Sequence, residues 1–183
     1  MAMCWIEQVI NYHPTGTLRF QVHDFGRHPT VKDDGKELGP DDWCTVAPGK
    51  TVNLENCGVP WGGNQQALRV EADVDGKKGT VQFDIVNQDA WDFIRIRDEE
   101  YREHGRAEVG SLGNAPGINH SAWRLVLHSD GKVDLHCEWR QGLTREGAKE
   151  LGAVALEIGG MAVSLGGSGI GLAGSLGAAV IAL

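Results

Sequence analysis

The chain has 183 residues, with 17 Lys and Arg against 25 Asp and Glu and a formal net charge of −8. That balance argues against a nucleic-acid binder, which needs clustered Lys and Arg, and against capture by anionic lipid through overall charge. The length suits one domain of about 140 residues plus an appendage.

The first residues, Met1 to Glu7, contain neither a basic nor an apolar leader region, so no secretory signal is expected. The expected location is therefore the cytoplasm, or release without a signal peptide, with membrane association in the active form. Cys4, Cys44, Cys57 and Cys137 are widely spaced and form no C-x-x-C pair. They read as structural thiols in a reducing compartment.

Residues 4–12 and 17–25 read as two strands joined by the turn signal His13-Pro14-Thr15-Gly16. In the second, Leu18, Phe20 and Val22 alternate with Arg19, Gln21 and His23, the pattern of a half-buried strand. Residues 26–42, broken by Pro29, Gly35, Gly39 and Pro40, read as a long loop of the kind that often carries function. Two short strands, 43–47 and 51–56, flank Pro48-Gly49.

Residues 66–86 predict a hairpin whose tip, from Asp73 to Gly79, has glycines available for positive φ. Its Asp-x-Asp-Gly run lacks the later ligands of a calcium loop. A strand follows at 91–96. The charged run DEEYREH at 98–104 reads as a solvated turn of helix, and 105–121 as loop. Residues 122–139 then form the clearest hairpin, with Ser129-Asp130-Gly131-Lys132 at its tip. A two-residue Asp-Gly turn there would set Val126 opposite Leu135 and Leu125 opposite His136. Short strands separated by frequent turn signals predict an all-β sandwich.

After Gln141-Gly142 the pattern changes. Thr144 has the chemistry of an N-cap, Glu146 sits in the first turn, and Leu151, Val154, Ala155 and Ile158 fall at helical spacing. The spacing predicts a helix from Arg145 onward. Residues 158–183 carry no charged side chain. As a helix they would be about 39 Å long, enough to cross a hydrocarbon core of about 30 Å. Each glycine costs a water-exposed helix about 1 kcal/mol relative to Ala, so such a helix needs close neighbours. Gly159, Val163, Gly167, Gly171, Ser175 and Ala179 form one i, i+4 row, and Gly152, Leu156, Gly160, Ser164 and Ser168 another. Rows of small residues let helices approach closely inside a membrane and suit a ring of copies.

Catalytic signals are thin. Asp134, His136 and Glu138 alternate on one face of the last hairpin and could share a cation, but a polar outer sheet face is the plainer reading. His23 with Asp24, and His120 with Ser121, lack a third orienting group. No phosphate loop, G-x-S-x-G elbow or H-E-x-x-H motif is present, so neither an enzyme, a metal nor a cofactor is expected. Most of the tryptophans suit a core. Trp61, in Val59-Pro60-Trp61-Gly62-Gly63-Asn64, is set in a loop, where it could stack on a sugar or sit at a lipid interface.

The run from Trp61-Gly62-Gly63 through Leu68-Arg69-Val70 and Ala72-Asp73 resembles the fungal fruiting-body lectins. So do Thr80, Phe83, Ile85, Asn87 and Trp91, and the closing Leu125-Val126-Leu127 with Asp134-Leu135-His136. The resemblance covers roughly residues 50–140. These lectins share a fold with the actinoporins, pore-forming toxins with a β-sandwich body and a mobile amphipathic helix. The resemblance implies a sandwich with a carbohydrate or lipid-head-group pocket. The lectins hold galactosamine-type sugars through a glycine loop and a His-Asn pair. Gly62 and Gly63 match that loop and Asn87 the Asn, while Val86 stands where the His would be. Tyr101 and Arg102 lie where later pocket residues are expected. The C-terminal placement of the apolar segment departs from both groups.

Together these readings predict a mainly β chain: an actinoporin-like β-sandwich with a C-terminal helical, glycine-rich apolar segment. Residues 1–142 would be the surface-recognition domain and 143–183 the amphipathic-to-apolar segment. The expected function is pore formation or membrane perforation. The head would bind a membrane sugar or lipid head group through Trp61, Gly62, Gly63, Asn87 and Tyr101. The tail would insert and oligomerise through Gly152, Gly159, Gly160, Gly167, Gly171 and Gly174. The alternative is a carbohydrate-binding, lectin-like module with the tail as anchor or assembly element. Expected partners are membrane lipid or glycan and further copies of the chain, and no nucleic acid.

Overall fold

The computed structural model describes residues 3–23, 29–60, 64–88, 91–108, 120–140, 154–158 and 161–168. Among these residues the chain is β throughout and holds no helix. The larger of two sheets runs in the order β13 (Val154–Ile158), β14 (Met161–Ser168), β12 (Val133–Arg140), β11 (His120–Leu127), β1 (Met3–Asn11), β5 (Thr51–Glu55) and β3 (Thr30–Val31). A short strand, β6 (Gly58–Pro60), pairs with the start of β1. The smaller sheet runs β10 (Glu103–Glu108), β9 (Trp91–Arg97), β8 (Lys77–Gln88), β7 (Asn64–Val74), β2 (Thr17–His23) and β4 (Cys44–Val46).

Period-two alternation builds the core between the sheets. Leu18, Phe20 and Val22 of β2 point inward with Leu68 and Val70 of β7, Val81, Phe83 and Ile85 of β8, and Ile94 and Ile96 of β9. Trp123, Leu125 and Leu127 of β11 meet them from the larger sheet with Val133, Leu135 and Cys137 of β12. One continuous cluster across two facing sheets is the packing of a β-sandwich.

Two sequence-adjacent strand pairs are not hairpins. β1 and β2, and likewise β4 and β5, belong to opposite sheets, so the turns at 13–16 and 48–49 carry the chain across the sandwich. The first crossing is fixed by buried polar groups. Asn11 donates to the carbonyls of Gly16 (2.8 Å) and Val46 (3.0 Å) and accepts the amide of His13 (3.0 Å). His13 Nδ1 accepts the amides of Gly16 (2.7 Å) and Thr15 (3.2 Å), which places the ring proton of the neutral imidazole on Nε2. A Cβ at Gly16 would stand 2.8 Å from that Nδ1, so only glycine fits.

The β7–β8 hairpin turns on Asp75 and Gly76, both with positive φ (53° and 78°), as its Asp-Gly tip predicts. The β11–β12 hairpin corrects the expected register. Leu125 pairs with Leu135 and Val126 with Asp134, because the tip is a three-residue loop, closed by the Gly131 amide on the His128 carbonyl at 3.0 Å. Gly131 takes φ 84°, a turn followed by a bulge. A two-residue turn would have sent every second core side chain to the solvent face.

Three further expectations change. Residues 98–104 are not a helical turn: Asp98 closes a tight turn, through its own carbonyl to the Tyr101 amide (3.0 Å), and Glu103 opens β10. The loop at 26–42 contains β3, and its Leu38 is buried in the core. In the segment expected to be helical, Val154–Ile158 and Met161–Ser168 are strands. β14 runs parallel to β12 and buries Met161, Val163 and Leu165, every second residue, in the common core. The remainder of that segment, 143–153, 159–160 and 169–183, lies outside the described residues.

Candidate ligand groove

A groove of 480 Å³ opens on the outer face of the larger sheet, where β1, β5 and the residue after β3 meet. A bulge in β1 makes it. The pairing with β11 slips between Ile6 and Gln8, so Ile6 and Val9 both point into the core. Trp5, Glu7 and Gln8 are left together on the outer side. Bulges re-aim side chains in this way beside many functional sites.

The groove is polar around one aromatic ring. Trp5 donates its indole N–H to Glu7 at 3.1 Å. Gln8, opposite Asn53 in the β1–β5 ladder, donates to its side-chain oxygen at 2.7 Å. Lys32 joins from beyond β3, its amide on the Asn53 carbonyl (2.9 Å) and its Nζ 3.7 Å from Glu55. At the groove's end Asn56 takes the left-handed φ of 59°, which Asn tolerates. Cys57 beside it is buried, and burial pushes its thiol up to about 12 against a smaller opposing hydrogen bond from the Ile6 amide. It is an inert thiol. Cys44 and Cys57 form no disulfide.

Such a groove can hold a hydroxyl-rich ligand. An indole face accepts the C–H side of a sugar ring, and amides and carboxylates satisfy hydroxyls in either direction.

Of the residues expected from sequence to line a pocket, Asn87 and Tyr101 lie among the described residues, and they stand apart. Asn87 lies near the end of β8, its backbone paired with Asn64 and Asp92. Tyr101 is an exposed residue of the β9–β10 turn, at φ 62°. The whole of β9 separates the two. Trp61, Gly62 and Gly63 lie outside the described residues, between the last residue of β6 and the first of β7. Gly58 of β6 pairs with Trp5. Val86, at the lectins' His position, is buried opposite Phe93. Arg102 is tied to Asp98 at 2.7 Å. Of the expected tail residues, Gly167 lies in β14, while Gly152, Gly159, Gly160, Gly171 and Gly174 are outside the described residues. Over Met161–Ser168 the chain is extended, so Val163 and Gly167 are not stacked there as they would be on a helix.

Asp134 and His136 do share the outer face of β12. His136 Nδ1 stands 3.0 Å from Asp134 Oδ2, and His128 Nε2, from the hairpin tip, 3.4 Å from the same oxygen. Ser164 of β14 donates to the other oxygen, Oδ1. Burial alone would raise the Asp134 carboxyl, but the hydrogen bonds from His128, His136 and Ser164 and the His136 charge hold it well below the usual range. The serine hydroxyl bonds the carboxylate and not an imidazole, which is not the Ser–His contact of a triad. Glu138, the third member of that row, is described only as backbone of β12. Among the described residues, no three His, Cys, Asp or Glu side chains converge as a metal site.

Sequence reading passed over the groove. Its signal is the order Trp5-Ile6-Glu7-Gln8-Val9, in which two consecutive polar residues interrupt the apolar alternation and mark the bulge. Comparison with protein-family models, curated proteins and solved structures gives no match to this chain.

Proposed function

We propose that the protein is a recognition module that binds a hydroxyl-rich surface ligand, a membrane sugar or the head group of a glycolipid, in the groove at Trp5. The observation that carries this reading is the bulge, which sets an aromatic ring beside Glu7, Gln8 and Asn53 on a rigid sheet face. Side chains held on paired strands lose little freedom on binding, which favours affinity. The test is a glycan array with the full chain, repeated with Trp5→Ala. Saturable binding of one glycan class, lost in the variant while the thermal unfolding curve is kept, supports the reading. An array with no bound glycan refutes it.

A second reading adds membrane perforation by the C-terminal segment. It is favoured by the absence of any charged side chain over residues 158–183. Among the described residues no helix is long and apolar enough to cross a membrane. Insertion would therefore use residues beyond Ser168, or require β14 to leave the sheet. Dye release from liposomes by the full chain, and none by a chain ending at Ser168, is the outcome this reading requires.

A further inference from the structure

The outer face of the smaller sheet carries a charge opposite to that of the whole chain. Its ladder sets Arg69 of β7, Gln82 of β8 and Arg97 of β9 in one row, and Ala67, Asp84, Arg95 and Arg106 in the next. Inward neighbours in these strands fill the core, so both rows face out.

The arginines are held, and not all are neutralised. Asp84, fully buried beneath them, accepts Arg95 Nε at 2.7 Å on one oxygen and Gln82 at 2.7 Å on the other, and Arg97 Nε stands 2.9 Å from the first oxygen as an ion pair without hydrogen-bond geometry. Asp84 thus faces two guanidiniums, and Glu103, opposite Arg97 in the ladder, stands 3.9 Å from Arg95 Nη1. Arg106 makes a two-pronged pair with Glu103 (2.7 and 2.9 Å) and lies over the Phe93 ring at 4.6 Å. Arg69 has no acid partner among the described residues. Strands are spaced about 4.8 Å apart, which sets Arg69 and Arg97 about 10 Å apart in their row.

We propose that this face binds an acidic polysaccharide carrying sulfate groups, with Arg69 and Arg97 as its two anchoring forks. Planar guanidinium groups match oxyanions through paired hydrogen bonds, and Arg97, already ion-paired with Asp84, loses little entropy on binding. The alternatives fit less well. The large apolar side chains exposed among the described residues, Tyr12 and Tyr101, lie outside these strands, so among the described side chains this face offers no exposed large apolar group to a bilayer. A DNA duplex is held through about 6–10 phosphate contacts, more than four guanidiniums supply. The site is independent of the groove at Trp5, which lies on the other sheet.

The test is calorimetric titration of the full chain with a heparin-derived octasaccharide at low and raised salt. Binding that weakens with salt is expected. Arg69→Gln and Arg97→Lys should each weaken it about ten- to hundredfold. Arg69→Gln should leave thermal unfolding unchanged, and Trp5→Ala should leave octasaccharide binding intact. Absence of binding by the folded protein, or equal affinity in both arginine variants, would overturn the proposal. So would equal or tighter binding of phosphatidylserine vesicles or of a DNA duplex.

Discussion

Ser164 and Asp134 face each other across β14 and β12, and the serine hydroxyl donates to Oδ1 of the half-buried carboxylate. The strand that opens the uncharged stretch is thereby tied to the body of the sandwich by a charge-assisted bond. Ser164→Ala should cost about 1.5–3 kcal/mol, read from urea unfolding.

The pH dependence of this contact has a definite sign. The folded-state Asp134 carboxyl lies below its unfolded value, so its stabilisation is complete above the ordinary carboxylate range. It is lost as pH falls from about 4 toward the depressed folded value. Asp134→Asn should therefore lower stability at neutral pH and flatten its decline in acid, in unfolding curves taken over that range.

Cutting the chain after Ser168 should preserve the fold, whereas cutting after Gln141 removes Met161, Val163 and Leu165 from the core. Loss of one such buried Leu or Met side chain costs about 2–5 kcal/mol. The shorter chain should therefore unfold at lower temperature or bind a hydrophobic dye when the longer does not, as differential scanning fluorimetry would record.

Gly79 and Met161 bring β8 and β14 into close approach across the sandwich. A Cβ at Gly79 would lie 2.8 Å from Met161 Cβ and 3.1 Å from its sulfur. The nearest atom is not a flexible tip, so β14 itself would have to move. Gly79→Ala should destabilise by about 1–3 kcal/mol. Adding Met161→Ala should give no rescue, since the Cβ remains; a double-mutant cycle reads this directly.

Asn11 is fully buried and satisfies three backbone groups at the β1–β2 crossing. Asn11→Ala strands the carbonyls of Gly16 and Val46, each costing about 1–3 kcal/mol when left unpaired. Equilibrium unfolding should show a loss at least as large as one such group.

The sandwich was legible where residues speak locally. Alternation in Leu18, Phe20 and Val22, and the Asp75-Gly76 tip, each determine a neighbour's geometry within a few residues. Pairing between distant strands was not legible: nothing near Pro48 says that Cys44 and Thr51 go to opposite sheets. The register at Leu125 depended on whether Gly131 ends a two- or three-residue loop, which the packing of Leu135 decides. The tail misled for a physical reason. Val154, Ala155 and Ile158 suit a helix by spacing, but Met161, Val163 and Leu165 also alternate, and an open edge at β12 rewards the extended form. The groove was hidden because a bulge shows in sequence only as a broken rhythm at Glu7-Gln8.

The parallel partnership of β1 with β11 has a consequence for how the molecule is made. Met3 aligns with His120 and Asn11 with Leu127, so β1 waits for more than a hundred further residues to be synthesised before this neighbour exists. β5 and β6, its partners on the other edge, are synthesised sooner and cover Gln8 to Ile10 and Met3 to Trp5. Contacts this distant in sequence make folding slow and leave an apolar strand uncovered meanwhile. Refolding of this protein should be slow for its size, and its yield should fall with concentration as unpaired β1 edges find one another.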